Sequence, residues 1–128
     1  MSVKQQTIAG EVSISGVGLH TGEACTITLC PAEENKGYHF QRTDLADQPV
    51  IPADCDLVVD TARGTTLGKN GVRLHTVEHV LAALVGCEID NCTIKVSGPE
   101  IPILDGSSFP ITSAILEKGV LKQQADRE

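Results

Sequence analysis

Short segments of alternating polar and apolar residues, separated by glycine-bearing turns, constrain this chain to a fold rich in β-strands. The residues from Gln6 to Ile14 alternate, and those from Ala24 to Leu29 do so again after the stretch Gly16–Gly22. A period of two places one set of side chains on a single sheet face. Asn70-Gly71 separates two further strand-like triplets and predicts a hairpin, because both residues tolerate positive φ. We therefore expect two strands joined by a loop, a hairpin, and further short strands at 37–42, 56–59 and 91–97.

Two segments have the pattern of helices. The run from Val77 to Val85 spaces its apolar residues as one helix face requires, and it ends near Gly86. Thr76 is a good capping residue for its first turn. A second helix is predicted from Pro110 to Lys118, with Ser107 or Ser108 as its cap and Gly119 at its end.

The order of these elements predicts the fold class. Strands before, between and around two helices indicate an α+β two-layer sandwich, in which a mixed or antiparallel sheet is covered on one face by both helices. A chain of 128 residues that is 41% hydrophobic is expected to form one core. We predict a single α+β domain over residues 1–121. Residues 122–128 are polar apart from Ala125 and are predicted to fray or to begin an interdomain linker.

Composition argues against several classes of function. The net charge is −7, and the ten Lys and Arg residues are scattered, so no nucleic acid partner is expected. No apolar run approaches the ~20 residues that span a bilayer, and the first six residues have no apolar signal core. The sequence therefore predicts a cytoplasmic protein without a transmembrane segment. The five cysteines form no C-x-x-C pair, which favours reduced, mostly buried thiols over a cysteine zinc site.

The densest cluster of proton-transfer and metal-binding groups is the pentapeptide His75–His79. Imidazole is a common zinc ligand, and a glutamate beside a metal takes a proton from the attacking water, so metal-assisted hydrolysis is indicated. The letters H-x-x-E-H also match zinc peptidases in which both histidines bind from one helix face. If Thr76 caps the helix, however, His75 lies outside it and the imidazoles share no face. The alternative is structural: Glu78 complements the helix dipole and His79 is an ordinary first-turn residue.

The loop Gly16–Gly22 contains a G-x-G, as nucleotide-binding loops do. A dinucleotide loop would open a helix, whereas a strand-like segment follows here, so no such site is predicted. Its first two glycines are expected to permit a tight connection between strands. His20 lies in this loop and could face solvent or a cleft, which makes it a candidate functional residue.

Five separated motifs lie along the chain, at Gly16–Gly22, Arg42–Leu45, Thr76–His79, Gly86 with Ile89–Asn91, and Pro99–Ser107. Together they resemble one family, the bacterial UDP-3-O-acyl-N-acetylglucosamine deacetylases. The motifs keep the family's order, and the resemblance covers essentially the whole chain. It implies a zinc-dependent enzyme of lipid A synthesis, of which this chain is the first of two related α+β domains.

The resemblance also implies roles for the residues of the pentapeptide. Glu78 stands at the position of the family's general base, and His79 at that of a zinc ligand. His75 stands where the family usually has a small polar residue, so it inherits no role.

Substrate contacts are implied elsewhere. Leu19 and His20 match residues that lie near the substrate in the family. A loop over the active site falls at 60–67, where Ala62 and Arg63 would be the contacts. The family often has bulky apolar or cysteine residues in that loop, so this sequence departs from the pattern there.

A second domain is the main partner that the resemblance implies. In the family this C-terminal domain supplies a histidine and an aspartate to zinc, a basic group for the oxyanion, and a cleft for the acyl chain of the nucleotide-sugar substrate. A catalytic zinc needs three protein ligands, so the chain alone is expected to be inactive. A truncated enzyme and a split enzyme with a separate partner chain both fit. A non-catalytic binding domain, or a self-contained zinc hydrolase using His75, Glu78 and His79, stays open.

Overall fold

The computed structural model of the chain describes residues 3–61 and 64–127. Its described elements are ten strands, two α-helices and one short 3-10 turn. In chain order they are β1 (Lys4–Ile8), β2 (Val12–Val17), β3 (Ala24–Pro31), β4 (Tyr38–Arg42), β5 (Val50–Pro52), the 3-10 turn (Cys55–Leu57), β6 (Val58–Asp60), β7 (Thr66–Lys69), β8 (Val72–Leu74), α1 (Glu78–Gly86), β9 (Cys92–Val96), α2 (Phe109–Lys118) and β10 (Val120–Asp126).

A five-stranded mixed sheet forms one layer of the domain. Its strand order is β2-β3-β9-β4-β5, and within it only β4 and β9 pair in parallel. Alternate residues of β3 and β9 are buried on the face that the two helices cover, whereas Thr26, Thr28 and Thr93 on the other face are partly exposed. The predicted α+β sandwich is confirmed. The buried residues of this core include Ile27, Leu29, Phe40, Ile94 and Val96 from the sheet and Val80, Leu84, Ile111 and Ile115 from the helices.

The predicted strand from 6 to 14 is wrong in one respect, because it is two strands that belong to different sheets. Strand β1 pairs with β10, whereas β2 pairs with β3. The chain changes partner at Ala9, whose N–H donates to the carbonyl of Gly119 at 2.9 Å. Alternation indicates an extended chain but does not say which strand lies beside it.

The predicted frayed tail is also wrong for residues 122–126, which lie in strand β10. Gly119 ends α2 with φ of 103° and redirects the chain into the strand. Strand β10 pairs with β1, and polar side chains support it: Lys4 of β1 forms a 2.6 Å ion pair with Asp126, and Gln123 Nε2 donates to the Ala32 carbonyl at 2.8 Å. A strand held by such contacts carries no apolar pattern in its sequence, so the predicted domain boundary at 121 falls inside β10.

The predicted hairpin is confirmed. Strands β7 and β8 pair in antiparallel fashion, and Asn70 and Gly71 at the turn have φ of 53° and 82°. Together with β6 they form a three-stranded sheet. The strand predicted at 56–59 is instead the 3-10 turn followed by β6, while β4 and β9 lie within the predicted ranges.

Thr76 does not cap α1, which corrects the sequence-based expectation. Val77 occupies the capping position without a side-chain hydrogen bond, and α1 begins at Glu78. The second helix begins at Phe109, one residue before the prediction, and Ser108 precedes it without a side-chain capping bond. His75 lies outside α1, as predicted.

The cysteines whose side chains are described are free thiols, three of them buried and Cys87 half-buried. Burial raises the pKa of Cys92 to about 12, so this thiol stays protonated at neutral pH. The prediction of reduced, mostly buried thiols is confirmed for these residues. Among the described residues, neither helix is long and apolar enough to span a bilayer.

Candidate active site at the start of helix α1

Glu78 and His79 are the first two residues of α1, and both are half-buried. The Glu78 carboxylate is held from the neighbouring sheet, because its Oε1 accepts the N–H of Thr65 at 3.0 Å. The Thr65 carbonyl in turn accepts the N–H of Val77 at 3.1 Å. Thr65, the residue before β7, therefore contacts both the start of α1 and the carboxylate that projects from it, through its carbonyl and its N–H.

Gly64 makes the close approach of the Glu78 side chain possible. Its φ is 101°, and a Cβ atom at this position would lie 2.8 Å from Glu78 Oε2. Any side chain here would therefore be strained and would also displace the carboxylate. The sequence analysis gave this glycine no role, because it stands between Arg63 and Thr65 without a pattern that marks it.

We expect Gly64→Ala to destabilise the chain by about 1–3 kcal/mol, the usual cost of forcing a side chain into a sparsely populated backbone region. Gly86→Ala is the matched control, because Gly86 ends α1 with nothing within 4 Å of its would-be Cβ. Denaturant unfolding should show a lower midpoint for Gly64→Ala only. Equal midpoints for the two variants would contradict the assigned close contact.

Glu100 is the second carboxylate of the site region and was missed by the sequence analysis. It is 1% exposed and joins two separate segments. Its carboxylate accepts the N–H of His20 at 3.0 and 3.2 Å, the N–H of Thr21 at 2.8 Å, and the hydroxyl of Thr76 at 2.6 Å. Burial would raise the pKa of Glu100, but the hydrogen bonds from Thr76, Thr21 and His20 outweigh it and hold the pKa below its ordinary value.

This lowered pKa gives a prediction for stability against pH. A carboxyl whose pKa is lower in the folded state stabilises the fold above its unfolded-state pKa, and the contribution is lost as the pH falls through the folded value. We expect Glu100→Gln to destabilise the chain by about 1–3 kcal/mol at neutral pH. The difference from wild type should shrink below pH 4.5, the ordinary value for this carboxyl. Urea unfolding across this range measures it, and a difference independent of pH would contradict the assignment.

Leu19 and His20 lie in the turn between β2 and β3 and are both exposed, Leu19 by 60%. Glu100 anchors the backbone of this turn by accepting the N–H groups of His20 and Thr21, while the side chains of Leu19 and His20 stay exposed. Through Glu100 the structure connects His20 to Thr76, two residues before Glu78. Ala62 and Arg63, the other predicted substrate contacts, lie outside the described residues.

His75 is hydrogen-bonded to residues outside α1, whereas His79 lies within that helix. Its N–H donates to the Pro99 carbonyl at 2.8 Å, its carbonyl accepts the N–H of Ile101 at 3.0 Å, and its Nδ1 lies 3.0 Å from the Thr66 hydroxyl. Within residues 3–61 and 64–127, no group of three His, Cys, Asp or Glu side chains could hold a metal ion.

Asp105 lies near His79. Hydrogen bonds from the hydroxyl and the backbone N–H of Ser107 hold the pKa of Asp105 below its ordinary value, and the nearby imidazole of His79 lowers it further.

Fold and site together define a two-layer α+β domain that presents a glutamate and a histidine side by side at a helix start. The sequence profile of one family, UDP-3-O-acyl N-acetylglycosamine deacetylase (LpxC), matches residues 5–128. The chain belongs to this family.

Named relatives agree with the family profile. The chain is 56% identical over 123 residues to the bifunctional enzyme LpxC/FabZ of Chlorobaculum tepidum, covering 96% of the chain and 26% of that protein. It is 49% identical over 127 residues to the UDP-3-O-acyl-N-acetylglucosamine deacetylase of Myxococcus xanthus, covering 99% and 40%. The deacetylase of Thermosynechococcus vestitus is 48% identical over 127 residues, covering 99% and 45%. The chain thus spans less than half the length of these relatives.

Proposed function

We propose that this chain is the N-terminal domain of a zinc-dependent deacetylase, and that the complete enzyme removes acetate from UDP-3-O-acyl-N-acetylglucosamine in lipid A biosynthesis. The observation that carries the proposal is the adjacent pair Glu78 and His79 at the start of α1, with the carboxylate held by the N–H of Thr65. Family membership and the names of the relatives support the substrate.

The donor set of this chain fits one part of a zinc site. His79 is half-buried at the start of α1, and imidazole is a common zinc ligand. A catalytic zinc takes three protein ligands, and the described residues bring no such group together. We propose that His79 supplies one ligand and that a second domain supplies the others. Zinc, when bound, polarises the attacking water and the acetamide carbonyl.

Glu78 is the proposed general base. Its carboxylate would take the proton of the attacking water and pass it to the leaving amine as acetate is released. The N–H of Thr65 and the positive end of the α1 dipole both stabilise negative charge on this carboxylate before the proton arrives. Holding Oε1 also fixes the direction in which the other oxygen points, which a proton acceptor requires.

Leu19, His20, Ala62 and Arg63 are the proposed substrate contacts. Leu19 and His20 are supported by their exposure on a turn whose backbone is anchored. An exposed leucine beside an exposed imidazole suits a substrate with both an apolar acyl chain and polar sugar hydroxyls. Ala62 and Arg63 rest on the resemblance alone.

The exposed apolar residues of the helices support a partner domain. Phe109 and Leu116, seven residues apart on one face of α2, are 69% and 63% exposed, and Val85 on α1 is 64% exposed. Large apolar side chains left open in this way are typical of surfaces that another domain covers. The short span of the chain relative to its relatives agrees with this.

Acetate release tests the proposal. The full-length protein that contains residues 1–128 should release acetate from UDP-3-O-acyl-N-acetylglucosamine and lose this activity to a zinc chelator. The chain alone should release none, or nearly none. A zinc-loaded full-length protein that leaves the substrate intact would overturn the proposed function and favour a non-catalytic binding domain.

A further inference from the structure

Two segments of the proposed active site meet at one buried carboxylate. The turn Gly18–Gly22 carries Leu19 and His20, while Thr76 directly precedes the residues that start α1. The two carboxylate oxygens of Glu100 accept hydrogen bonds from both segments, namely from the N–H groups of His20 and Thr21 and from the hydroxyl of Thr76. We propose that Glu100 is a positioning residue that fixes the substrate-contact turn relative to Glu78 and His79. This inference rests on the proposed function.

The backbone of Thr76 shows that this connection holds a strained conformation. Thr76 has φ of 63° and is 3% exposed. A β-branched residue in the left-handed region is uncommon and costs on the order of 1–3 kcal/mol unless its surroundings hold it. The 2.6 Å hydroxyl bond to Glu100 Oε2 is such a hold. Backbone strain two residues before the proposed base Glu78 indicates that the surrounding contacts fix the direction in which α1 begins.

The segment that carries Glu100 is itself fixed on both sides. Pro99 and Ile101 each share a backbone hydrogen bond with His75, at 2.8 and 3.0 Å. The backbone on both sides of Glu100 is therefore anchored to His75, the residue before Thr76. From this anchored position the carboxylate joins the turn to Thr76 through its own hydrogen bonds.

The turn is shaped to receive this carboxylate. A Cβ atom on Gly18 would lie 2.4 Å from Glu100 Oε1, so only glycine allows the turn to approach so closely. The N–H of Gly22 donates to the Gly18 carbonyl at 3.0 Å and closes the turn. The glycine pattern of this motif is thus explained by a buried anion of the chain itself rather than by a bound phosphate.

The test is a double-mutant cycle in the full-length protein with Glu100→Gln, Thr76→Val and the double variant. Glu117→Gln, an exposed carboxylate on α2, and Thr28→Val, whose hydroxyl bonds Ser13 on the outer sheet face, are the matched controls. The kinetic readouts are kcat and KM for deacetylation, corrected for the folded fraction. Hydrogen exchange of the amides in 18–22 and 76–79 is measured on the same proteins.

We expect Glu100→Gln to lower kcat/KM by about 10- to 100-fold, as the loss of an orienting residue at a metal site does, and to expose the amides of His20 and Thr21 to exchange. Thr76→Val should act mainly on kcat. The double variant should have about the same kcat/KM as Glu100→Gln, because both substitutions remove the same connection between Thr76 and Glu100. The controls should change kcat/KM by less than about 2-fold.

A merely structural Glu100 would lower the melting temperature while kcat and KM per folded molecule stayed at the control values, and this would overturn the inference. Independent losses that multiply in the double variant would also overturn it. If the wild-type protein releases no acetate, the proposed function fails. The exchange data then still decide whether Glu100 joins the two segments, since unchanged protection of both 18–22 and 76–79 in Glu100→Gln would exclude it.

Discussion

A full-length protein that carries Glu78→Gln keeps its fold and loses about 10²- to 10⁴-fold of its deacetylation rate, the usual contribution of a general base. Glutamine preserves the volume of the side chain, and its amide oxygen can still accept the N–H of Thr65, so the start of α1 should not move. The amide cannot accept a proton from water. Acetate release under saturating substrate measures the rate, and circular dichroism and thermal unfolding check the fold.

Glu117→Gln is the control for this prediction. It makes the same chemical change on an exposed residue of α2, remote in sequence from the site, and should leave turnover unchanged. A Glu78→Gln enzyme with near-normal turnover would remove Glu78 from the role of general base. A variant that unfolds would be uninformative about chemistry, which is why glutamine is preferred to alanine here.

His79→Ala in the full-length protein should purify without stoichiometric zinc and lose roughly 100-fold or more of its turnover, since a metal contributes several kcal/mol to the transition state. The control is His75→Ala, four residues away. His75 bonds through Nδ1 to the Thr66 hydroxyl and lies outside α1, so its loss should affect stability but not zinc content.

Metal analysis after dialysis measures the zinc content of the two variants directly. Zinc loss in His75→Ala equal to that in His79→Ala would mean that both imidazoles bind the metal. That result would contradict the arrangement described, because the two rings are attached to different elements and no described group of three ligands includes them.

The sequence predicted those features whose signal is local. The hairpin at Asn70-Gly71 is confirmed, because turn chemistry acts over a few residues. His75 lies outside α1 as expected, but the Thr76 cap on which that expectation depended is not formed. The adjacency of Glu78 and His79 is covalent and needed no structure. Residue chemistry indicates metal-assisted hydrolysis at this pair, the family resemblance implies the two roles, and both roles stay predictions.

Other features depend on contacts between distant residues and could not be predicted. Thr76 was expected to cap α1, yet its hydroxyl bonds Glu100, which lies 24 residues on. Gly64 is required by the Glu78 side chain, which reaches it only in the folded chain. The pairing of β1 with β10 joins the two ends of the chain, and the sequence of a polar strand has no apolar pattern that indicates which strand lies beside it.

Glu100 had one signal that could have found it. It stands among prolines and isoleucines in the segment Pro99–Ile103, and a charge in an apolar segment is either exposed or held by hydrogen bonds. Sequence alone does not choose between these two. The structure does, because the side chain is buried and satisfied by donors from two other segments.

Zinc affinity of residues 1–128 alone, measured by titration calorimetry beside the full-length protein, tests the central claim most directly. We predict weak or substoichiometric zinc binding to the chain and one tight zinc in the full-length protein, because His79 is one of several ligands that come from two domains. The weak binding should disappear in His79→Ala and persist in His75→Ala. Tight one-to-one binding to the chain alone, requiring both histidines, would contradict the account and make this domain a complete metal site.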